Sequence, residues 1–499
     1  MTSNATEAAR AAIERFLDRD FGLFINGRSQ PAHSGHWIDV FNPATGTAIA
    51  RVPDADSADV DRAVASAHEA FVERRWSGLR PADRERILLR LADVIEAHGE
   101  ELAQLETLNQ GKSINIARAI EVGATVEYVR YMAGWATKIH GETLDVSIPF
   151  PPGAQYTAFT RKEPVGVVAG IVPWNFPLMI AVWKLVPALA AGCTVVIKPS
   201  PETPLTALRL AELAIEAGIP AGVFNVVTGG RESGAALASH PGVAKISFTG
   251  STPTGKLVGA AALQNLTRFS LELGGKNPAV MLADVDVDTA VQGMLAGGFL
   301  NQGQVCAAAS RIYVHRSKYR TIAEALADIA GSMKIGPGID PEAQINPLVS
   351  AGHRERVERH IAVAREAGLK FMAGGAPVEG PGYYVRPAVI ADVPPDAAII
   401  RDEVFGPVLA LVPFDEPEEA LRLANDSQYG LAASLWTNDL RAAMKLVREI
   451  DAGTVWVNSH VPLDPSMPFG GMKQSGIGRE FGKGAVESFT ETKSVCIAH

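Results

Sequence analysis

The chain of 499 residues is 47% hydrophobic and has a formal net charge of −9 at pH 7, and its length predicts about three structural units with large buried cores. The interspersed, mainly negative charge disfavours nucleic acid or an anionic membrane surface as the main partner, and no apolar run approaches the roughly 20 residues of a membrane span. The three cysteines and the histidines lack disulfide or metal-ligand spacing, and the first segment lacks a signal-peptide core, so we expect a cytoplasmic protein without a metal site.

Helical patterns dominate the N-terminal part of the chain. The first segment, "MTSNATEAARAAIERFLDRD", predicts a short amphipathic helix. In "SADVDRAVASAHEAFVERRW", Val60, Val64 and Phe71 recur at helical spacing behind Ser57, which we expect to be the N-cap. A third pattern runs through "RERILLRLADVIEAHGEELAQLETLNQGK" and is expected to continue until residues 109–111 stop it.

Short β-branched runs then alternate with helical patterns. The runs are "VGVVAGIVPWNFP", "CTVVIKPS", "VFNVVTG" and "AKISFTGS", and helical stretches such as "TALRLAELAIEAGIP" lie between them. Each run is too short for a buried helix and is bounded by turn residues. The alternation therefore predicts an α/β fold with a parallel sheet and a nucleotide-type crevice at the carboxyl ends of its strands.

A second α/β pattern runs from about Leu273 to Ser475, with "AVML", "RIYVHR", "PVLALVPF" and "TVWVN" as strands. The proline-rich "SIPFPPGAQYTAFTRKEPVG" interrupts the first pattern and predicts a protruding hairpin. The C-terminal "KSVCIAH" is a candidate third strand for this hairpin, in the same subunit or in a neighbouring one.

Three polar residues follow predicted strands and are candidates for the crevice. Asn175 in "IVPWNFP" either donates its amide to a developing oxyanion or merely closes a turn. Lys198 in "VIKPS" either binds a ribose hydroxyl or phosphate or is a solvated charge at a strand end. Ser251 precedes a predicted helix whose free N–H groups suit a pyrophosphate, although a single Gly-Ser turn is weak support for such a site.

Glu272 and Cys306 are the candidates for chemistry. Glu272 lies in the mostly apolar "FSLELGG", where desolvation raises a carboxyl pKa and favours general-base function; the alternative is a structural hydrogen bond. Cys306 lies in "FLNQGQVCAAASRI", and we interpret Gly303 and the alanines at 307–309 as clearing space around a nucleophilic sulfur. The alternative is an inert buried thiol.

Seven motifs in this order resemble the aldehyde dehydrogenase superfamily over nearly the whole chain. They are "PWNFP", "KPS", "FTGS", "LELGGK", "NQGQVC", "DEVFGPV" and "PFGGMKQSGIGRE". The resemblance implies a Rossmann-like dinucleotide-binding domain (residues 1–141 and 165–272), an α/β catalytic domain (273–475) and a small β oligomerisation element (142–164 and 485–499). It also implies a homo-oligomer, either a dimer or a homotetramer.

The same resemblance assigns roles to individual residues. It implies that Cys306 forms a thiohemiacetal and then a thioester, and that Asn175 and the Cys306 N–H form an oxyanion hole. Glu272 resembles the base that activates the hydrolytic water, and Lys184 and Glu480 resemble a proton relay behind it. The implied cofactor-binding residues are Ile171, Pro173, Trp174, Lys198, Gly250, Ser251, Leu273, Glu403 and Phe405.

One departure concerns the choice of cofactor. Relatives that prefer NAD commonly carry a glutamate three residues after the lysine, and here that position is Pro201, with Glu202 beside it. NAD remains the expected cofactor, with NADP as the alternative, because "KPSPETP" contains no second basic residue for a 2′-phosphate.

The implied substrate tunnel is apolar, which predicts a hydrophobic aryl or medium-chain aldehyde. Its expected lining is Phe176, Met179, Ile180, Trp183, Leu300, Val305, Val461, Leu463 and Phe469. The alternatives are a generalist or betaine-type aldehyde dehydrogenase, an acyl transfer to coenzyme A or phosphate, which Glu272 disfavours, and a non-catalytic binding protein on this fold.

Overall fold

A computed structural model describes residues 2–499, with side chains from Glu7 onward. Among the residues described, no helix is both long and apolar enough to cross a membrane. The α-helices are Thr2–Leu17, Ser57–Val72, Pro81–Ala97, Gly99–Gln110, Ile114–Ile116, Thr125–Ala133, Pro177–Ala191, Leu205–Glu216, Arg231–Ser239, Thr252–Gln264, Val287–Phe299, Arg316–Ser332, Ala351–Glu366, Ala398–Arg401, Pro417–Asn425, Leu440–Leu446 and Gly482–Glu487. A π-helix spans Ala117–Ala124, and 3₁₀ turns span Gly134–Thr137 and Leu300–Gly303.

The first sheet has five parallel central strands, which include the four predicted strands. The strand Val167–Ile171 lies in the middle. The next two strands along the chain, Thr194–Lys198 and Phe224–Val226, lie on one side of it. The following two, Lys245–Thr249 and Arg268–Glu272, lie on the other side. This reversal of direction creates a crevice at the carboxyl ends of the strands. The full spatial order is Arg28–Gln30, Leu23–Ile25, Phe224–Val226, Thr194–Lys198, Val167–Ile171, Lys245–Thr249, Arg268–Glu272 and Gly476–Ile477.

Alternating side chains of these strands pack into two separate cores. Val168 and Val195 face a core with helices Pro177–Ala191 and Leu205–Glu216. Val196 faces the opposite core, built from helices that include Ser57–Val72 and Thr252–Gln264. Because helices cover both faces, the strands read as continuous apolar runs rather than alternating ones.

The second sheet has seven strands, six of them parallel, again with helices on both faces. The four predicted strands are confirmed. Three further strands had not been predicted: Lys370–Ala373, Ala388–Ala391 and Ala432–Trp436. The full spatial order is Lys370–Ala373, Ala388–Ala391, Val408–Phe414, Ala309–His315, Asn277–Met281, Ala432–Trp436 and Thr454–Val457.

The predicted hairpin exists, and the C-terminal strand joins it within the same chain. Tyr156–Pro164 pairs with Thr143–Leu144 on one side and with Thr490–Ala498 on the other, both antiparallel. Apolar side chains of the hairpin remain exposed, including Phe150 at 77%. Two small sheets complete the fold, pairing Trp37–Asn42 with Thr47–Pro53 and Tyr429–Gly430 with Met472–Lys473.

Two helix boundaries differ from the prediction. The third helical pattern is interrupted at His98, so that Pro81–Ala97 and Gly99–Gln110 are separate helices. The helix Gly99–Gln110 has Gly111 as its C-cap, with a φ of 96°. The N-cap of Ser57–Val72 is Asp56, one residue before the predicted cap. The Asp59 N–H donates to Asp56 Oδ1 over 3.0 Å, and the Asp56 N–H donates to Asp59 Oδ2 over 3.3 Å.

Replacing Asp56 with alanine is expected to weaken this helix start by ~1 kcal/mol, because the cap satisfies an N–H that has no partner within the helix. Amide hydrogen exchange in the first turn should accelerate about fivefold. Ser57→Ala is the matched control and should leave the exchange rate almost unchanged; an equal acceleration in both variants would contradict the assignment.

Candidate active site

The crevice at the middle of the first sheet holds a cavity of about 130 Å³. It lies where Val167–Ile171 and Lys245–Thr249 end side by side. The loops that follow these two strands and the segment around Glu403 form its walls. Seven of the nine predicted cofactor-binding residues line it: Pro173, Trp174, Gly250, Ser251, Leu273, Glu403 and Phe405.

The other two predicted cofactor-binding residues do not line this cavity. Ile171 is partly buried at the end of its strand. Lys198 is buried, and its Nζ donates to the Pro199 carbonyl over 3.0 Å. Burial lowers the pKa of Lys198 to about 8, although Glu202 and Asp54 oppose the shift.

The helix Thr252–Gln264 points its N-terminus at the cavity. Ser251 is the N-cap, and its Oγ accepts the Thr254 N–H over 3.4 Å. The positive end of the helix dipole therefore lies beside Gly250 and Ser251, where it favours an anionic group.

Glu403 crosses the cavity toward the Gly274–Gly275 segment. Its Oε1 accepts the Gly275 N–H over 2.9 Å, and burial raises its pKa to about 7. A Cβ at position 274 would lie 2.2 Å from Glu403 Oε2, so a larger residue there would displace the carboxylate from this position.

His353 also lines the cavity, and sequence reasoning missed it. Its Nε2 donates to the Phe405 carbonyl over 2.8 Å, which requires a proton on that nitrogen. Its ring lies 4.7 Å from that of Trp174, and burial lowers its pKa to about 4. His353 lies in the first turn of Ala351–Glu366, and no local pattern signals that this helix reaches the crevice.

Cys306 lies in a tight turn between the helix Val287–Phe299 and the strand Ala309–His315. The chain enters this turn through Asn301 and Gln302, which have φ of 47° and 57°. The Cys306 side chain is partly exposed. Burial of the thiol, then the negative charges of Glu272 and Glu403, raise its pKa to about 12, so it needs a base to become a nucleophile.

The prediction that small residues clear space around Cys306 holds for only one of the four residues named for it. Gly303 is required by packing, since a Cβ there would lie 2.2 Å from the Gly406 carbonyl oxygen. Ala309 is fully buried in a core of the second sheet. Of the residues interpreted as clearing space, only Ala307 shares a cavity with Cys306.

Asn175 is buried next to the cysteine turn. Its side-chain Nδ2 donates to the backbone carbonyl of Gln304 over 3.0 Å. Its backbone carbonyl accepts a hydrogen bond from Asn301 Nδ2, also over 3.0 Å. These bonds fix the loop after Val167–Ile171 against the segment that leads to Cys306.

Glu272 is the last residue of Arg268–Glu272 and is buried. Among the described residues, neither of its carboxylate oxygens has a hydrogen-bond partner. Desolvation, followed by repulsion from Glu480, raises its pKa well above the ordinary value, while Lys184 and Arg479 act in the opposite direction. The alternative of a structural hydrogen bond is therefore wrong for this conformation.

Lys184 and Glu480 form a buried ion pair behind Glu272. Lys184 Nζ donates to Glu480 Oε1 over 2.8 Å and to Thr249 Oγ1 over 2.7 Å. The backbone groups of Glu480 and Phe469 exchange two hydrogen bonds of 2.8 Å, which tie the pair to the tunnel wall.

A second cavity, of about 560 Å³, opens on the other side of Cys306. All nine predicted tunnel residues line it, and so does Glu272. Aromatic rings pack along one wall, with Phe481 4.7 Å from Trp183 and 5.0 Å from Tyr128. The lining residues not predicted from sequence include Ile116, Ile120, Tyr128, Leu295, Phe299, Met333, Gln344, His460, Pro462 and Phe481.

The two cavities meet at Thr249, Leu273 and Cys306, which line both. A crevice with a helix N-terminus thus adjoins an apolar tunnel, and a thiol lies at the junction with a buried, unpartnered carboxyl group on the tunnel side. This combination is typical of an enzyme that forms a covalent intermediate next to a dinucleotide.

Comparison with known proteins identifies the class. The family model for the aldehyde dehydrogenase family matches residues 30–495, and the chain belongs to this family. It is an aldehyde-oxidising enzyme with the aldehyde dehydrogenase fold.

Individual relatives cover almost the whole chain. A phenylacetaldehyde dehydrogenase of Pseudomonas fluorescens is 51% identical, with 96% of each chain covered. An aminoacetaldehyde dehydrogenase of Pseudomonas aeruginosa is 45% identical, covering 100% of this chain and 99% of its own. The NAD⁺ complex of a Bacillus cereus aldehyde dehydrogenase superposes with a TM-score of 0.95 at 44% identity, covering 97% and 98% of the two chains.

Proposed function

We propose that this enzyme oxidises a hydrophobic aldehyde, and specifically an aryl aldehyde such as phenylacetaldehyde, to the carboxylic acid with NAD. The observation that carries the proposal is the junction of an apolar tunnel and a nucleotide crevice at Cys306. An aldehyde in the tunnel and a nicotinamide in the crevice would approach the same sulfur from two sides.

The crevice fits NAD. The helix N-terminus at Ser251 suits the pyrophosphate, Glu403 suits a ribose hydroxyl, and Trp174 with Phe405 offers aromatic surface. The NAD⁺ complex of the Bacillus cereus relative supports this assignment. When bound, the dinucleotide would supply the hydride acceptor that conversion of the thiohemiacetal on Cys306 into a thioester requires.

The residues of the chain supply nucleophile, orientation and proton transfer. Cys306 Sγ attacks the aldehyde carbon as the thiolate, and the thiol proton is released to solvent through the cavity, to which Cys306 is partly exposed. The Asn175 amide and the Cys306 N–H stabilise the developing oxyanion. Asn175 Nδ2 carries two N–H donors, so one can keep its bond to the Gln304 carbonyl while the other donates to the oxyanion.

Glu272 then activates the water that hydrolyses the thioester. The absence of a partner on its oxygens leaves them free to accept a proton, and the raised pKa makes the carboxylate basic enough to do so. The Lys184–Glu480 pair receives the proton and passes it onward. This assignment favours release of a free acid over transfer of the acyl group to coenzyme A.

The tunnel supports an uncharged, apolar substrate. Apart from Glu272 at the reacting end, none of the carboxylates in the described part of the chain lines it. The Trp183, Phe469 and Phe481 rings form a surface suited to a phenyl group. The 51% identity to a phenylacetaldehyde dehydrogenase supports the same class.

The volume of the tunnel favours a second candidate, a generalist that accepts several apolar aldehydes. About 560 Å³ exceeds the space that one phenyl group needs. Apolar pockets also discriminate a methylene by only ~1–3 kcal/mol.

For the assembly, we propose that the sheet formed by the hairpin and the C-terminal strand, with Phe150 exposed, mediates contact between subunits.

A panel of aldehydes tests the substrate class. Phenylacetaldehyde, octanal, aminoacetaldehyde and betaine aldehyde are each assayed with NAD and with NADP, and kcat/KM is compared. We expect phenylacetaldehyde to exceed the two cationic aldehydes by at least about 100-fold, because a cation gains no carboxylate partner along the tunnel. NAD should exceed NADP. Octanal equal to phenylacetaldehyde would select the generalist, and a cationic aldehyde in first place would overturn the proposal.

A further inference from the structure

Three consecutive backbone carbonyls at the nucleophile are each held by a side chain. Asn277 Nδ2 donates to the Cys306 carbonyl over 2.8 Å and to the Ala308 carbonyl over 3.0 Å. His460 Nε2 donates to the Ala307 carbonyl between them over 2.7 Å. We call Asn277 and His460 the carbonyl clamp; neither has a role in the mechanism above.

The direction of every bond behind His460 is determined. The Trp436 indole can only donate, and it donates to Ser434 Oγ over 2.9 Å. The Ala307 carbonyl can only accept, so His460 Nε2 carries a proton. Burial lowers the pKa of His460 to about 4, so the imidazole is neutral with its one proton on Nε2, and the unprotonated Nδ1 accepts from Ser434 Oγ, 2.8 Å away.

Asn277 is equally constrained. Its Oδ1 accepts the Ala432 N–H over 3.1 Å, so its amide cannot be flipped without losing three bonds. Both clamp residues are thereby anchored to strands of the second sheet, Asn277–Met281 and Ala432–Trp436. A Cβ at Gly275 would lie 2.6 Å from the Cys306 carbonyl oxygen, so the glycine lets this segment pack against the turn.

The clamp determines which groups face the sulfur. A peptide unit is planar, so fixing the Cys306 carbonyl fixes the Ala307 N–H on the opposite side of the same plane. The pKa of Cys306 is raised chiefly by burial and by Glu272 and Glu403, and the N–H groups of Ala307 and Cys306 oppose that rise. These two N–H groups therefore favour the thiolate.

We propose that Asn277 and His460 are positioning residues for Cys306: by holding the carbonyls of residues 306–308 away from the sulfur, they keep the Ala307 N–H directed at the thiolate. The inference rests on the proposed function of Cys306 as the nucleophile. Neither clamp residue transfers a proton or contacts the reacting carbon in this role.

The test measures thiolate formation without any aldehyde. Alkylation of the enzyme by iodoacetamide is followed between pH 6 and 10 by mass spectrometry of the peptide that contains Cys306, and the exposed Cys496 serves as internal reference. In Asn277→Ala and His460→Leu we expect the rate at Cys306, relative to that at Cys496, to fall about tenfold or more at each pH in this range. His460→Gln retains a donor and should stay within about threefold of the unmodified enzyme.

Asn225→Ala is the matched control. Asn225 is also buried, its Nδ2 donates to the Val195 and Gly222 carbonyls, and its Oδ1 accepts a backbone N–H, but it lies at a distant strand. It should lower the thermal midpoint of unfolding without changing alkylation of Cys306. If Asn277→Ala does not fold, the two His460 variants decide the question.

Unchanged alkylation of Cys306 in the folded clamp variants would overturn the proposal, and so would an equal loss in His460→Gln and His460→Leu. Because iodoacetamide needs neither aldehyde nor dinucleotide, this outcome is independent of whether the aldehyde panel supports the proposed substrate.

Discussion

Replacing Cys306 with alanine is expected to reduce NADH formation from any aldehyde by at least about 10⁴-fold. The reason is that no other thiol lines either cavity, since Cys193 is fully buried and Cys496 is exposed on the C-terminal strand. Binding of NAD, measured by calorimetry, should remain within about threefold of the unmodified value, because the helix start at Ser251 and the Glu403 carboxylate are unchanged.

Cys193→Ala is the control for loss of a thiol. The Cys193 thiol is buried, with a pKa raised to about 11 by desolvation, and it donates to the Phe489 carbonyl over 3.4 Å. That variant should keep its kcat. Substantial aldehyde oxidation by the Cys306→Ala enzyme would show that the reaction does not pass through this sulfur.

Changing Glu272 to glutamine is expected to leave a burst of NADH, followed by turnover slowed about 100-fold or more. Glutamine has the same shape but cannot accept the proton of the hydrolytic water. Stopped-flow absorbance would resolve the burst from the steady state. Loss of the burst in the same proportion as turnover would instead assign Glu272 to activation of the thiol.

The pH profile of the unmodified enzyme follows from the same residue. Desolvation and Glu480 raise the pKa of Glu272, so its active, deprotonated fraction grows as pH rises through that raised value. Deacylation should therefore increase with pH well above the ordinary glutamate pKa of about 4.3. The Glu272→Gln enzyme should lose this ascending limb.

Glu106→Gln is a matched control for removal of a buried carboxyl group. Desolvation and Glu121 raise the pKa of Glu106, and Lys112, whose Nζ donates to Glu106 Oε1 over 3.2 Å, opposes the rise. Glu106 lines neither cavity, and this variant should retain both burst and turnover.

Much of the fold follows from local sequence patterns. Buried parallel strands such as Thr194–Lys198 are continuous apolar runs with turn residues at their ends, and these features are visible without knowledge of their partners. Two of the strands that were not predicted, Ala388–Ala391 and Ala432–Trp436, are rich in alanine, a residue that is depleted in strands. Their strand conformation is favoured by burial within the sheet and not by the local sequence.

The site residues also divide into those that the sequence signals and those that it does not. Asn175, Glu272 and Cys306 lie at strand ends and turns, where chain position alone suggests function. His353 and the carbonyl clamp carry no such signal, because tertiary packing alone brings them to the site. The start of the helix Ala351–Glu366 brings His353 to the crevice. Two separated segments of the second sheet bring Asn277 and His460 to the turn of Cys306. The N-cap at Asp56 did have a signal, an acidic residue three positions later at Asp59, which the adjacent Ser57 obscured.

The central claim, that the substrate becomes bonded to Cys306, is tested most directly by trapping the intermediate. The Glu272→Gln enzyme is mixed with NAD and an aldehyde that the panel has shown to be oxidised, quenched with acid after the burst, digested and analysed by mass spectrometry. We predict close to one acyl group per active site on the peptide that contains Cys306, and none when NAD is omitted. A full burst of NADH with that peptide unmodified would contradict the account.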